Sequence, residues 1–285
     1  MGGALASFIT MAVSARELSA ALDVFEILVF RGVIALLVLA LLLSRSGWHQ
    51  LATRSFGLHF TRNIAHFGGQ VGWFFGIAFI PLAAVFAIET TTPVWTTAFA
   101  VLLLGERITS ARFAAIVLGF AGVLLILRPG AAVVHPAAVG VLLGAVALGL
   151  SVTLTKKLAA RDTPLAILFY MALIQLPLGL VPATFSWVNP ELHLWPWLIA
   201  VGLTSLTAHY CMVRALAVAD ATVVIPMDFV RLPLISLVGF LLYDERIEWF
   251  LFLGAALILA GNILNVRAEQ RGARQDGSAG IRRRL

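Results

Sequence analysis

A chain that repeats itself once at a fixed offset has half of its fold decided before any helix is assigned. Aligned at an offset of 139 with no gap, the two halves pair Asp23 with Asp162, Phe30 with Phe169, Glu89 with Asp228 and Gly122 with Gly261. The strongest match sets Glu106-Arg107-Ile108 on Glu245-Arg246-Ile247. Each half holds five apolar stretches, and an odd number of crossings turns the second copy upside down relative to the first. Inverted repeats build secondary transporters around a site that faces each side of the bilayer in turn. The expected units are residues 1–130, with a short first span, and 137–267. A basic cytoplasmic tail, 268–285, follows and is expected to be disordered.

The environment follows from the shortage of charge. Only 12% of the 285 residues are charged and 61% are hydrophobic, where a soluble domain is about a quarter charged. Lipid must therefore be the solvent for most of the chain. Crossing it takes about 20 apolar residues per helix. The spans read as about 1–15, 25–43, 62–80, 82–104, 111–127, 137–155, 164–185, 195–217, 221–242 and 249–266. The expected class is all-α integral membrane, ten helices in two inverted five-helix repeats. The apolar runs are continuous rather than alternating, which excludes an outer-membrane barrel. Met1 aligns inside span 6, so span 1 begins a turn late, and either the helix is short or the start lies upstream.

Lys and Arg set the orientation. With the amino terminus inside, the cytoplasmic side collects Arg45, Arg54, Arg62, Arg107, Arg112, Lys156, Lys157, Arg161, Arg214 and six arginines from Arg267 onward; the other side holds Arg16, Arg128 and Arg246. Both termini are expected in the cytoplasm, in a bacterial-type inner membrane. The net charge of +6 is spent on this asymmetry, and no nucleic acid is expected as a partner. The one cysteine, Cys211, excludes an intramolecular disulfide and a thiolate metal cluster. No HExxH, phosphate loop or paired protease aspartates occur. No enzyme activity, cofactor or metal is expected.

Ionisable groups at membrane depth cost about 2.5–3.5 kcal/mol each, so they mark a pathway or a partner. Arg31 on span 2 and Glu89 on span 4 lie at similar depth, which allows an ion pair. They read either as a structural bridge or as an anion clamp and an ammonium or proton site. Asp228 and Arg231, three residues apart, share a face of span 9, and Asp228 is the repeat mate of Glu89. On span 3, Arg62, His66 and Gln70 form one polar stripe. Arg62 reads as the cytoplasmic end of that helix. Gln70 has His209 as its mate, and either histidine is a proton relay or an interhelical hydrogen bond. Trp73, Tyr170 and Tyr210 accompany these groups and suit the apolar part of an amphipathic cargo. Gly68, Gly72 and Gly76 read as a packing ridge, and Thr90-Thr91-Thr92-Pro93 as a bend.

The segments FEILVFRGVIALLVL (25–39), GIAFIPLAAVFAIETTTPVW (76–95), LLLGERITSARFAAIVLGFAGVLLILRPG (102–130) and LVGFLLYDERIEWFLFLGAALILAGNIL (237–264) resemble the drug/metabolite transporter superfamily. More narrowly, they resemble its ten-helix EamA type with two tandem units. The resemblance covers nearly the whole chain except the tail. It implies a central cavity open to one side at a time, and coupling to protons or facilitated exchange. Arg31 matches the arginine common on span 2 of that family. Residues 207–229 resemble a branch that includes S-adenosylmethionine and riboflavin importers, while opine-metallophore exporters share the architecture.

The expected function is thus secondary transport of a small amphipathic or zwitterionic metabolite, amino-acid-like compound, vitamin or metallophore. The alternatives are riboflavin or S-adenosylmethionine uptake against export of amino acids or an opine metallophore. From another class come a lipid scramblase or an assembly subunit. A channel is disfavoured because charged rings and a filter-like loop are missing. Ten helices suffice for a pathway, so monomer and homodimer both stay open.

Overall fold

A computed structural model describes residues 2–105, 109–127, 135–218 and 227–282, with the backbone alone for 213–218, 269 and 272–282. The Glu106-Arg107-Ile108 motif, the Arg128-Pro129-Gly130 turn, Pro226 and the Arg214 side chain lie outside what is described. The elements are α1 Gly2–Ser19, α2 Val24–Ser46, α3 Phe56–Phe79, α4 Leu82–Glu89, α5 Thr92–Leu104, α6 Ser110–Leu127, α7 Pro136–Ala159, α8 Pro164–Ala183, α9 Trp195–Val218, α10 Arg231–Tyr243 and α11 Trp249–Arg282. No strand occurs among the described residues. Counting α4 and α5 as one interrupted crossing gives ten spans. α11 runs on as helix to Arg282, past its apolar stretch and through the tail.

The repeat reaches down to helix ends. α3 and α9 begin 139 residues apart, and α5 and α10 both begin and end at that offset. Their stops are also mates: Gly105 and Asp244 both take the left-handed conformation, at φ 68° and 52°. Starts are set by local chemistry. Asp23 accepts from the Phe25 N–H at the head of α2, and Thr163 accepts from the Ala166 N–H ahead of Pro164 at the head of α8. A side-chain oxygen there satisfies one donor that the first turn leaves orphaned.

Packing follows the same pseudo-twofold. α3 lies along α7 as α9 lies along α1, while α2 with α8, α4 with α10 and α6 with α11 pair across the axis. Close approach needs glycine at two crossings. A Cβ on Gly72 would strike the Gly140 carbonyl of α7, and one on Gly122 would sit 2.6 Å from the Gly254 oxygen of α11. The ridge on α3 is Gly69, Gly72 and Gly76; a Cβ added at Gly68, read as part of it from spacing, would meet nothing within 4 Å and face open space. Leu37, Leu41, Phe113, Leu124 and Leu241 point outward, as lipid demands and water would not tolerate in such number.

Between α4 and α5 the helix breaks at Thr90-Thr91, where Thr90 Oγ1 donates to the Ala87 carbonyl at 2.6 Å. At the break the Thr91 N–H turns to the Ile88 carbonyl, and the hydroxyl takes up the Ala87 carbonyl that this leaves free, the device by which a helix bends inside a membrane. The break sets Glu89 at the end of α4, in the middle of the bundle. Among the described residues six helical stretches are long and strongly apolar enough to cross a membrane, and α3 is not one of them. α3 and α9 carry polar side chains on the faces they turn to the bundle.

Candidate functional site

α3 builds the site because its buried polar positions recur at helical spacing. His59, Arg62, Asn63, His66, Gln70 and Trp73 are all buried, and steps of three and four keep them on one face. α2 supplies Arg31, α8 supplies Gln175, and α9 supplies Ser205 and His209. Arg31 is 5% exposed. Its Nη2 donates to Gln70 Oε1 at 2.6 Å and reaches Gln175 Oε1 at 3.4 Å. Its Nε is buried without a partner. Leu28, Arg31, Gln70, Met171, Gln175 and Ser205 line a cavity of about 10 Å³, room for about one water.

The amide network continues along α3. Gln175 Nε2 lies 3.0 Å from His66 Nδ1; an amide nitrogen only donates, so Nδ1 is the bare nitrogen of His66. Gln175 Nε2 also reaches Asn63 Oδ1 at 3.4 Å, and the same oxygen accepts from Arg62 Nη1 at 2.7 Å. His209 donates from Nδ1 to the Ser205 carbonyl at 2.7 Å, and its ring stands 6.1 Å from that of His66. The two histidines do not bond directly.

One turn further along α3 lies a group of opposite character. Trp73 Nε1 donates to Glu89 Oε2 at 2.9 Å, and Arg231 Nη2 sits 3.3 Å from Glu89 Oε1 and 3.4 Å from Asp228 Oδ2. The Arg231 guanidinium lies over Phe8 at 4.4 Å and Phe86 at 5.0 Å, faces that favour a cation. Two carboxylates thus share one arginine, and Asp228 Oδ1 is buried with no partner.

The structure redistributes several expected partners. Glu89 pairs with Arg231, not Arg31: similar depth left the direction around each helix open, and α10 faces the end of α4. Arg62 is not a helix end. α3 begins at Phe56, about one and a half turns before it, and Arg62 is 6% exposed, donating to Thr155 Oγ1 at 3.0 Å. Tyr170 stands apart from the centre, its hydroxyl donating to the Leu51 carbonyl and its ring 4.7 Å from His59. Tyr210 is 61% exposed on the outer surface, one residue and so about 100° around the helix from His209. The structure therefore brings together Arg31, His66, Gln70 and His209 on one side of the centre and Trp73, Glu89, Asp228 and Arg231 on the other.

Residues missed in the sequence were readable in part. Gln175 is the only strongly polar side chain within its apolar run, and Asn63 precedes His66 by three. Nothing in the sequence pointed to the ties at the two ends. At one, His59 Nε2 meets Asp162 Oδ2 at 2.8 Å. At the other, Arg16 donates to the Ile80 carbonyl at 2.6 Å and to Glu245 Oε1 at 3.0 Å, while Glu245 Oε2 accepts from the Leu82 N–H. Burial pushes the Glu245 carboxyl up, against the lowering by Leu82 and Arg16.

Known proteins carry the same plan. The chain is 34% identical to a riboflavin transporter of Rhizobium johnstonii, over 82% of this chain and 78% of that one. It is 30% identical to a pseudopaline exporter of Pseudomonas aeruginosa, over 93% and 92%, and 23% identical to an S-adenosylmethionine uptake transporter of Rickettsia bellii, over 91% and 89%. A crystal structure 19% identical in sequence superposes with a TM-score of 0.64, covering 94% of this chain and 96% of its own, which bears on the fold alone. The EamA-like transporter family matches residues 2–128 and again 135–267. With two such matches spanning nearly its whole length, this multi-pass membrane chain belongs to the EamA-like transporter family.

Proposed function

We propose that the chain moves a small zwitterionic or amphipathic metabolite across a bacterial inner membrane by alternating access, with both termini in the cytoplasm. The observation that carries this is the sorting of buried charge. Among the described residues Arg31 has only neutral partners, Gln70 and Gln175, whereas Glu89 and Asp228 share Arg231. A buried charge without a counter-ion is costly, and a cargo bearing an anion and an ammonium balances both groups at once. Trp73 lies between them and offers a face to the apolar part. Along α3, Gln70 and Trp73 are three residues apart, about 4.5 Å of rise, a span suited to one small molecule.

Alternating access has a physical basis in the imperfect symmetry. α5 packs closely on α7, with Thr153 donating to the Thr96 carbonyl at 3.3 Å and Lys157 to the Leu103 carbonyl at 3.2 Å. The mate pair, α10 and α1, touches less and is joined through Arg16, Glu245 and the Tyr243–Glu17 hydrogen bond of 2.8 Å. Exchanging these two arrangements would exchange the side from which the chamber is reached. The relatives named above move riboflavin, S-adenosylmethionine and pseudopaline, and these are the first cargoes to test, in both directions.

Uptake and release of metabolites by a deletion strain and an overexpressing strain would identify the cargo. Flux in proteoliposomes at fixed protein content then tests the site. Arg31→Gln and Glu89→Gln should each lower flux at least tenfold, the scale of one lost charged hydrogen bond. Undiminished flux in both variants would reject this assignment.

A further inference from the structure

Arg62 is a buried charge that the reading above leaves without a task. Two guanidinium groups, not one, lie in the amide network without a carboxylate. Among the described residues Arg62 meets Thr155 Oγ1 at 3.0 Å and Asn63 Oδ1 at 2.7 Å, both neutral. Through Asn63 it connects to Gln175, whose other end meets Arg31. Among the described residues no acid closes the chain at either end. Trp73, Glu89, Asp228 and Arg231 form a separate group on the far side of Gln70, and their one arginine is already shared by two acids. Among the described residues the amide side carries two uncompensated positive charges.

Such charges are rarely left in a dry interior unless something pairs with them, because desolvation costs several kcal/mol per ion. Planar guanidinium forks are also suited to carboxylates and phosphates. Arg62 and Gln70 are eight residues apart on α3, about 12 Å of rise; Arg31 reaches the oxygen of the Gln175 amide directly, and Arg62 is linked to its nitrogen through Asn63. We infer that Arg62, with Asn63 and Thr155, forms a second anion subsite beside Arg31, so that the cargo is an amine bearing two acidic groups. This rests on the reading of Arg31 as an anion clamp and narrows it. One acid lies at Arg31, the second at Arg62, and the ammonium lies toward Glu89 and Asp228.

Thermal stabilisation of the purified full-length chain tests this with a stepped series: aspartate, glutamate, 2-aminoadipate and phosphoserine, each beside its uncharged counterpart such as asparagine or glutamine. The wild type should bind at least one diacid about tenfold to a hundredfold more tightly than its counterpart, the scale of one charge-assisted contact. Arg62→Gln keeps hydrogen-bonding capacity and should bring the diacid down to the level of the counterpart, whose own binding stays as in wild type. Arg62→Lys keeps the charge, checks folding, and should restore most of the preference. Arg31→Gln should weaken diacid and counterpart alike. If Arg62→Gln keeps the diacid preference while Arg31→Gln loses binding, the second subsite falls and the clamp at Arg31 stands. If Arg31→Gln binds as the wild type does, the clamp itself falls. A wild type that fails to favour any diacid, including one that binds no member of the series, overturns the inference.

Discussion

Asp244 holds a left-handed backbone at φ 52° where its repeat mate is Gly105 at φ 68°. An L side chain there costs about 1 kcal/mol or more, and aspartate is among the few residues that tolerate it. Asp244→Gly should therefore raise stability by about 0.5–1 kcal/mol, read as a higher midpoint of thermal unfolding; a lower midpoint would mean that the aspartate side chain holds the turn. At the same scale, Trp73→Phe removes the N–H that reaches Glu89 and puts a smaller aromatic ring in its place. It should cost about 1 kcal/mol of cargo affinity, seen as a KM raised severalfold, beside some loss of stability from the space that the smaller ring leaves, and an unaltered KM would detach Trp73 from the site. Much of this centre was legible because Arg31, Gln70, Glu89, Asp228 and Arg231 interrupt long apolar runs. The pairing of Asp228 with Arg231 within one helix was legible too; partners on neighbouring helices were not. Sequence spacing gives depth along a helix but no bearing around it relative to a neighbour, so an Arg31–Glu89 pair stayed open and Tyr210 was placed in the pathway. Arg62 was misjudged because the mixed stretch from Phe56 to Thr61 hides the true start of α3.

At the scale of elements, the crossing of α3 and α7 depends on missing side chains. Gly72→Ala should destabilise by about 1–3 kcal/mol as its Cβ meets the α7 backbone. Gly68→Ala, facing open space, should be neutral or gain up to about 1 kcal/mol of helix propensity. Thermal unfolding of the pair in detergent checks the packing, and equal losses would place the helices differently. Helix limits were read closely where a cap or proline marked them, as at Asp23, Pro136 and Pro164. The break at Thr90-Thr91 was readable from the hydroxyls beside Pro93. Which glycines face a neighbour was not, because Gly68, Gly69, Gly72 and Gly76 offer two overlapping helical ridges and spacing alone does not choose between them. The tail was expected to be irregular from its composition, yet α11 carries it on as helix to Arg282.

For the whole molecule, the constant offset of 139 already implied two units related by an axis in the membrane plane, and the paired helix contacts follow that axis. The ties that close the two ends were invisible, since each joins residues from distant parts of the chain. One of them responds to pH. Burial raises the Glu245 carboxyl, so the closed end binds its proton more tightly than an opened, hydrated end does. The closed form is then fully favoured below the ordinary carboxylate value and loses that advantage as pH rises through the raised one. Labelling of a cysteine placed at Ala84, beside this tie, should increase with pH over that window in a Cys211→Ala background, and Glu245→Gln should flatten the response; a response that survives the substitution would move the switch elsewhere.

Access to the Arg31 chamber decides the rest. Ala35 is buried on α2 and lines that cavity, so a cysteine there reports on it directly once Cys211 is replaced by alanine. A membrane-impermeant thiol reagent should reach Ala35→Cys from the cytoplasmic face and, in separate vesicles of opposite orientation, from the other face as well. Saturating cargo should slow both reactions. Reaction from one face only, whatever the cargo or gradient, would contradict a chamber that turns from one side of the membrane to the other.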